Sequence, residues 1–86
     1  MYRVELSRQA QRYLEQLPPS VQARIIGITR SLALDPRPRG HKKLVGTRYL
    51  RIRAGDWRVV YGVLDREHVV VVVKIVRRSE STYKDL

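Results

Sequence analysis

Four arginines, two tyrosines and a tryptophan fall within fourteen residues: Arg48-Tyr49-Leu50-Arg51-Ile52-Arg53-Ala54-Gly55-Asp56-Trp57-Arg58-Val59-Val60-Tyr61. The segment reads as two strands joined by a Gly55-Asp56 turn. Strand side chains alternate between faces with period two. Leu50, Ile52 and Ala54 therefore share one side, and Tyr49, Arg51 and Arg53 the other. After the turn, Trp57, Val59 and Tyr61 alternate with Arg58, Val60 and Gly62. A sheet that buries one face and lines the other with arginine is suited to meeting phosphate. An arginine fork donates paired hydrogen bonds to phosphate oxygens and keeps its charge.

Such a face has a specific use in RNA cleavage without metal. The ribose 2′-OH attacks the adjacent phosphate, so the site must take the hydroxyl proton, stabilise the added negative charge and protonate the leaving 5′ oxygen. Arginine suits the middle task. It is a poor base, because its pKa lies above about 12. Tyrosine and lysine can exchange protons when neighbouring cations depress their pKa values. Aromatic rings also stack on unpaired bases.

The last apolar segment extends the face. A strand from His68 to Arg78 puts Val69, Val71, Val73, Ile75 and Arg77 on one side, and Val70, Val72, Lys74, Val76 and Arg78 on the other. If the apolar side chains cover the helices, the open face carries Arg51, Arg53, Arg58, Lys74 and Arg78, with Tyr49 beside them. Tyr83 can fold back from the tail. Trp57 and Tyr61 belong to the buried face. His41 reads as a loop residue and His68 as the start of the strand.

The elements that must position this face follow from local signals. Tyr2 to Leu6 alternates as a first strand. Ser7 is suited to cap a helix, because its hydroxyl can accept from the next turn's free N–H groups. Ala10, Tyr13, Leu14 and Leu17 then recur at helical spacing. Pro18-Pro19 stops that helix. Ser20 is expected to cap a second one with a buried stripe of Val21, Ile25, Ile28 and Leu32, ended by Asp35-Pro36. Residues 36–47 read as an exposed basic loop, and Asp65-Arg66-Glu67 as a second turn. The valine run suits a strand at the sheet centre, buried on both sides. The expected fold is α+β: an N-terminal strand, a two-helix hairpin, and a three-stranded antiparallel meander, forming one sheet with both helices on one face.

Composition narrows the partners. The 86 residues suffice for one small domain, and 43% of them are hydrophobic, which argues against disorder. There are no cysteines and two histidines, so disulfides, thiolate chemistry and a histidine zinc site are not expected. The longest apolar run, Val69 to Val73, is too short to span a bilayer, and the N-terminus lacks the apolar core of a signal peptide. A cytoplasmic protein is expected. The net charge is +10, from 18 basic and 8 acidic residues. Residues 1–35 hold +2 of it and residues 36–86 hold +8. This asymmetry points to a polyanionic partner. Lys42, Lys43, Arg37 and Arg39 would give diffuse attraction to RNA.

Gly55-Asp56-Trp57-Arg58-Val59-Val60-Tyr61, an apolar strand ending in Arg77-Arg78, and a tyrosine a few residues on resemble the RelE/ParE toxin superfamily. The element order and Lys43-Leu44-Val45-Gly46 at the end of the basic loop match as well, so the resemblance covers essentially the whole chain as a single domain. It implies a toxin paired with a small acidic antitoxin in a hetero-oligomer. RelE-like members are metal-independent, cofactor-free endoribonucleases that cut mRNA in the ribosomal A site, leaving a 2′,3′-cyclic phosphate and a 5′-OH. ParE-like members share the fold and poison DNA gyrase. A nucleic-acid-binding domain without either activity is a third possibility. By position, the resemblance assigns catalytic roles to Arg58, Arg78 (or Arg77), Tyr83 and Arg51, with Arg53, Tyr49, Lys74, Arg77, Lys42 and Lys43 as RNA-binding residues. Tyr49 and Arg51 stand where the best-studied RelE pattern has two lysines, which leaves the identity of the general base open. Alternation favours Arg78 over Arg77 for the strand-end role, unless a bulge intervenes.

Overall fold

The computed structural model describes residues 1–77. Arg78 and Tyr83 therefore lie outside the described residues. Strand β1 (Arg3–Leu6) leads into helix α1 (Arg8–Glu15). Ser7 is the cap, as expected: its hydroxyl accepts from the Ala10 N–H at 3.1 Å. The same hydroxyl donates to the Val73 carbonyl at 3.0 Å, which ties the helix start to the last strand. The end of α1 is also served by a side chain. The Gln22 amide donates to the Leu17 carbonyl at 2.8 Å and to that of Glu15 at 3.3 Å.

Helix α2 (Pro19–Leu34) starts two residues earlier than a serine cap at position 20 would set it. Ser20 is not its cap. Pro18 holds that position without a side-chain hydrogen bond, and Pro19 opens the helix. Proline suits a first helical turn because its fixed φ is already helical and its missing N–H would have had no partner there. Of the expected stripe, Ile25 and Leu32 are fully buried, and Val21 and Ile28 are half-buried. Asp35 ends the helix, with its N–H on the Ser31 carbonyl.

Four more strands complete one sheet: β2 (Lys42–Lys43), β3 (Leu50–Ala54), β4 (Trp57–Leu64) and β5 (Val69–Arg77). Their order is β1-β5-β4-β3-β2. β1 lies parallel to β5, and the other neighbours are antiparallel. The basic loop is thus not wholly irregular, since Lys42 and Lys43 pair with Arg51 and Leu50 as a short edge strand. Two residues are too few for alternation to announce a strand. Both helices pack on one face of the sheet, over Ile52, Val59, Tyr61, Val70, Val72 and Ile75. Tyr61 is completely buried and donates its hydroxyl to the Pro36 carbonyl at 2.8 Å, fastening the segment after α2 to the sheet. Burial pushes this phenol up to about 12, so it is a structural group.

Strand β5 departs from strict alternation. Val60 faces Lys74, but the next residue, Tyr61, faces Val72, so Val73 is an extra residue on β5. Such a bulge switches the face assignment along a strand. Val70 and Val72 join the core in place of Val69, Val71 and Val73, while Ile75 beyond the bulge keeps its expected side. The carbonyl of the bulged Val73 is the one that receives the Ser7 hydroxyl. His68 is also not a strand residue. It closes the turn with φ of 55°, in the left-handed region that histidine tolerates better than most residues. Its ring stacks on Tyr2 with centroids 5.1 Å apart. Beside it Asp65 accepts from Tyr2 at 2.8 Å and from both terminal nitrogens of Arg37 at 3.0 and 3.2 Å. The Arg37 hydrogen bonds, followed by that of Tyr2, hold the Asp65 carboxyl below its usual range.

Candidate nucleic-acid interface

The register across four strands places the cations. Residues directly opposite one another share a face. Lys42 faces Arg51, Arg51 faces Val60, and Val60 faces Lys74, which makes one row across the sheet. Arg53 faces Arg58, and Arg58 faces Val76, which makes the next row. Both rows lie on the face away from the helices, because Ile52, Val59 and Ile75, the intervening residues, point into the core. Arg51, Arg58 and Lys74 are half-buried, whereas Arg53 and Lys42 are exposed. The Arg58 Nε is itself shut off from solvent. Between the cations, Val60 and Val76 are buried although they face away from the helices. The expectation that the valine run of the last strand is buried on both sides holds only in part: Val70 and Val72 are fully buried, but Val71 and Val73 are half-buried.

Two of these cross-strand pairs, Lys42–Arg51 and Arg53–Arg58, set like charge directly against like charge. Each such pair weakens a sheet by roughly 0.2–1 kcal/mol. The ion pairs Arg3–Glu5 and Arg37–Asp65 lie at other places on the molecule. Neighbouring strands are only about 4.8 Å apart, so the face presents a close-set positive surface. Phosphate oxygens would relieve its repulsion. Among the described residues no group of three or more His, Cys, Asp or Glu side chains comes together to hold a metal ion.

The structure brings together Arg51, Arg53, Arg58, Lys74 and Lys42. It adds Tyr49 on the same face, lying over Gly62. It separates two expected members. Lys43 pairs with Leu50 and so takes the helix side of the edge strand. Arg77 faces Trp57, on the core side, and its guanidinium lies 5.8 Å from the centre of that ring. Trp57 in turn packs edge-on to Tyr13 at 6.0 Å. Arg77 thus caps an aromatic pair at the core margin instead of joining the cation rows. Arg78 and Tyr83 lie outside the described residues.

One positioning feature escaped the sequence. Arg24 of α2 reaches the hairpin turn, and its guanidinium occupies the space that a Cβ on Gly55 would need. Gly55 has φ of 64°, which is what asks for glycine there, since the tip of Arg24 is the end of a flexible exposed side chain and can swing aside. No periodicity in α2 signals this contact, because an exposed helix arginine reads as a solvated charge.

Comparison with known proteins agrees with the topology. Residues 4–82 match a family described as "ParE toxin of type II toxin-antitoxin system, parDE". This chain belongs to the RelE/ParE toxin superfamily. It is a toxin of a toxin–antitoxin system. A Methanocaldococcus jannaschii protein that carries the name RelE1 is 32% identical, over 98% of this chain and 97% of the relative. The RelE–RelB complex of Pyrococcus horikoshii holds a chain that superposes with a TM-score of 0.82 at 31% identity, covering 93% of this chain and 98% of that one. The toxin–antitoxin complex RelBE2 of Mycobacterium tuberculosis gives 0.80 at 28% identity, covering 90% and 98%. The RelE/ParE fold thus extends over both helices and the sheet that carries the cation rows.

Proposed function

We propose that this toxin is a metal-independent endoribonuclease that cuts mRNA on the ribosome by 2′-OH attack. The observation that carries the reading is the double row of cations on the open sheet face, with Arg58 directly opposite Arg53 and Arg51 directly opposite Lys42. A surface selected for stability alone has no use for two facing like-charge pairs. A surface that binds a phosphorane, with its added negative charge, does.

In this reading Arg58 and Arg51 donate to the non-bridging phosphate oxygens. Their half-buried positions hold them in place before substrate arrives and raise the worth of each hydrogen bond. Arg53 and Lys42 neutralise the flanking phosphates. Arginine stays protonated, so proton transfer falls to other groups. Lys74 and Tyr49 are side chains on the described open face of a type that takes part in acid–base steps. From the sequence resemblance, Arg78 and Tyr83 complete the set, with Arg78 at the phosphate and Tyr83 as proton donor, proton acceptor or base-stacking ring. A site with so few basic groups suits a reaction whose substrate is aligned by the ribosome, because positioning then supplies much of the rate. The partner in the resting state is an acidic antitoxin, as RelB is the partner of RelE in the Pyrococcus complex.

The matched family's description as ParE favours a second reading, a gyrase inhibitor with no catalysis of its own. A growth assay separates the two. For the nuclease, Arg58→Ala abolishes toxicity while ribosome binding persists. Toxicity that survives Arg58→Ala, together with gyrase inhibition by the purified protein, would establish the second reading.

A further inference from the structure

One row beyond Arg51 and Lys74, the open face changes character. Tyr49, Gly62, Leu64, Val71 and Val73 line a concavity of about 620 Å³, with Arg48 at its rim. Its floor is Gly62, a glycine in the middle of β4. A glycine weakens a strand and often marks a place where another group approaches closely. Nothing in the backbone asks for it, because Gly62 is not among the positive-φ residues. Nor does its neighbour, since a Cβ at Gly62 would sit 3.6 Å from the Tyr49 ring, an ordinary contact. The missing side chain leaves the concavity open.

The backbone of Tyr49 is anchored, and its ring lies against Gly62. Its N–H donates to the Thr47 hydroxyl at 3.1 Å, and its carbonyl accepts from the Leu44 N–H at 3.0 Å. The Thr47 hydroxyl in turn donates to the Leu44 carbonyl at 2.9 Å. Leu64 is 43% exposed at the opposite margin, an apolar surface left to water. Residues two apart on a strand are about 6.8 Å apart along it, so the concavity begins one such step from the Lys42–Arg51–Lys74 row. A nucleotide spans that step between its phosphate and its base.

We infer that this concavity is a nucleobase subsite. A base unstacked from single-stranded RNA enters it and stacks on Tyr49 over Gly62, with its own phosphate on the Arg51 row and the next phosphate within reach of Arg48. The apolar walls have no paired donor–acceptor set, so the subsite selects for an unpaired base and discriminates weakly among the four. This rests on the nuclease reading and adds a requirement for a base at a defined step from the cleaved phosphate.

The test uses the intact toxin and two short RNAs methylated at every 2′-OH, so that neither can be cleaved. One carries all its bases, and in the other the central nucleotides are abasic. Affinities are measured by fluorescence anisotropy at low salt. The wild type is expected to bind the complete RNA more tightly by at least about five-fold, the worth of one stacked base. Tyr49→Ala and Gly62→Val, the latter a residue that strands favour, are expected to remove that difference. Tyr49→Phe is expected to keep it, and Arg51→Ala to weaken both RNAs alike. Equal binding of the two RNAs by the wild type would overturn the subsite and leave the nuclease reading standing. A preference that survives both Tyr49→Ala and Gly62→Val would place the base elsewhere and also overturn it. Failure to bind either RNA would overturn the subsite, while the nuclease reading, in which the ribosome aligns the substrate, stands or falls on cleavage of mRNA on the ribosome. If Gly62→Val instead left RNA binding unchanged and weakened only binding of the purified antitoxin, the concavity would be a protein-docking site and the inference wrong.

Discussion

The two faces of the same strands obey opposite rules. On the helix side, Ile52, Val59, Tyr61 and Ile75 are excluded from water and packed against Ile25 and Leu32. On the other side, Arg51, Arg53, Arg58 and Lys74 occupy the alternate positions and stand across from one another or from valines. The helix face lowers the free energy of the folded chain, whereas on the open face two facing like-charge pairs work against the buried Val60 and Val76. The comparison teaches that the cation rows are held by a surplus generated elsewhere, through side chains one residue away on the same backbone. The bulge at Val73 belongs to the same division. It lets Val70 and Val72 fill the core at one end of β5 while Lys74 reaches the open face at the other.

The division can be broken from the helix side with the largest effect. Leu32→Ala removes a fully buried side chain and leaves a cavity, with an expected loss of about 2–5 kcal/mol. Urea denaturation checks it, and RNA binding by the fraction that stays folded should be unchanged. Tyr61→Phe is milder. It deletes one buried hydrogen bond to Pro36, with an expected loss of about 0.5–1.5 kcal/mol. It also has a pH signature. Tyr61 titrates near 10 when unfolded and at about 12 when folded. Its contribution is therefore fully present below pH 10 and is lost as the pH rises towards 12. Melting temperatures measured across that range should fall less steeply for Tyr61→Phe than for the wild type. From the open side the effect is smallest and reverses sign. Arg53→Glu replaces a facing like-charge pair with an opposite one, and is expected to stabilise the fold by about 0.2–1 kcal/mol. The same change should weaken RNA binding and flatten its salt dependence. A variant that is more stable and less functional is the sharpest sign that the two faces are selected for different things.

Much of this division was legible in the sequence, for a physical reason. Period-two alternation is rigid, so Arg51, Arg53 and Arg58 could be set against Ile52, Val59 and Tyr61 without coordinates. Ser7 and Asp35 announced helix ends because their chemistry competes with the helix backbone. The errors sit where geometry has more than one solution. At the start of α2, Pro19 and Ser20 both qualify, and the preset φ of proline prevailed. In β5 a run of consecutive valines hides its phase, since every residue suits either face, and the bulge at Val73 went unseen. Lys42 gained its place opposite Arg51 from pairing, which a two-residue strand cannot signal. The subsite at Gly62 was invisible for a similar reason, because a lone strand glycine acquires meaning only when Tyr49 is known to lie over it.

The central claim is that the open face stabilises charge on a scissile phosphate. Primer extension on mRNA from programmed ribosomes, incubated with wild type or Arg58→Ala, tests it most directly. The expected result is cuts within translated codons for the wild type, slowed about 10²–10³-fold by Arg58→Ala, with unchanged ribosome binding and a folded protein by circular dichroism. Cuts of equal rate from both proteins, or none from either, would contradict it.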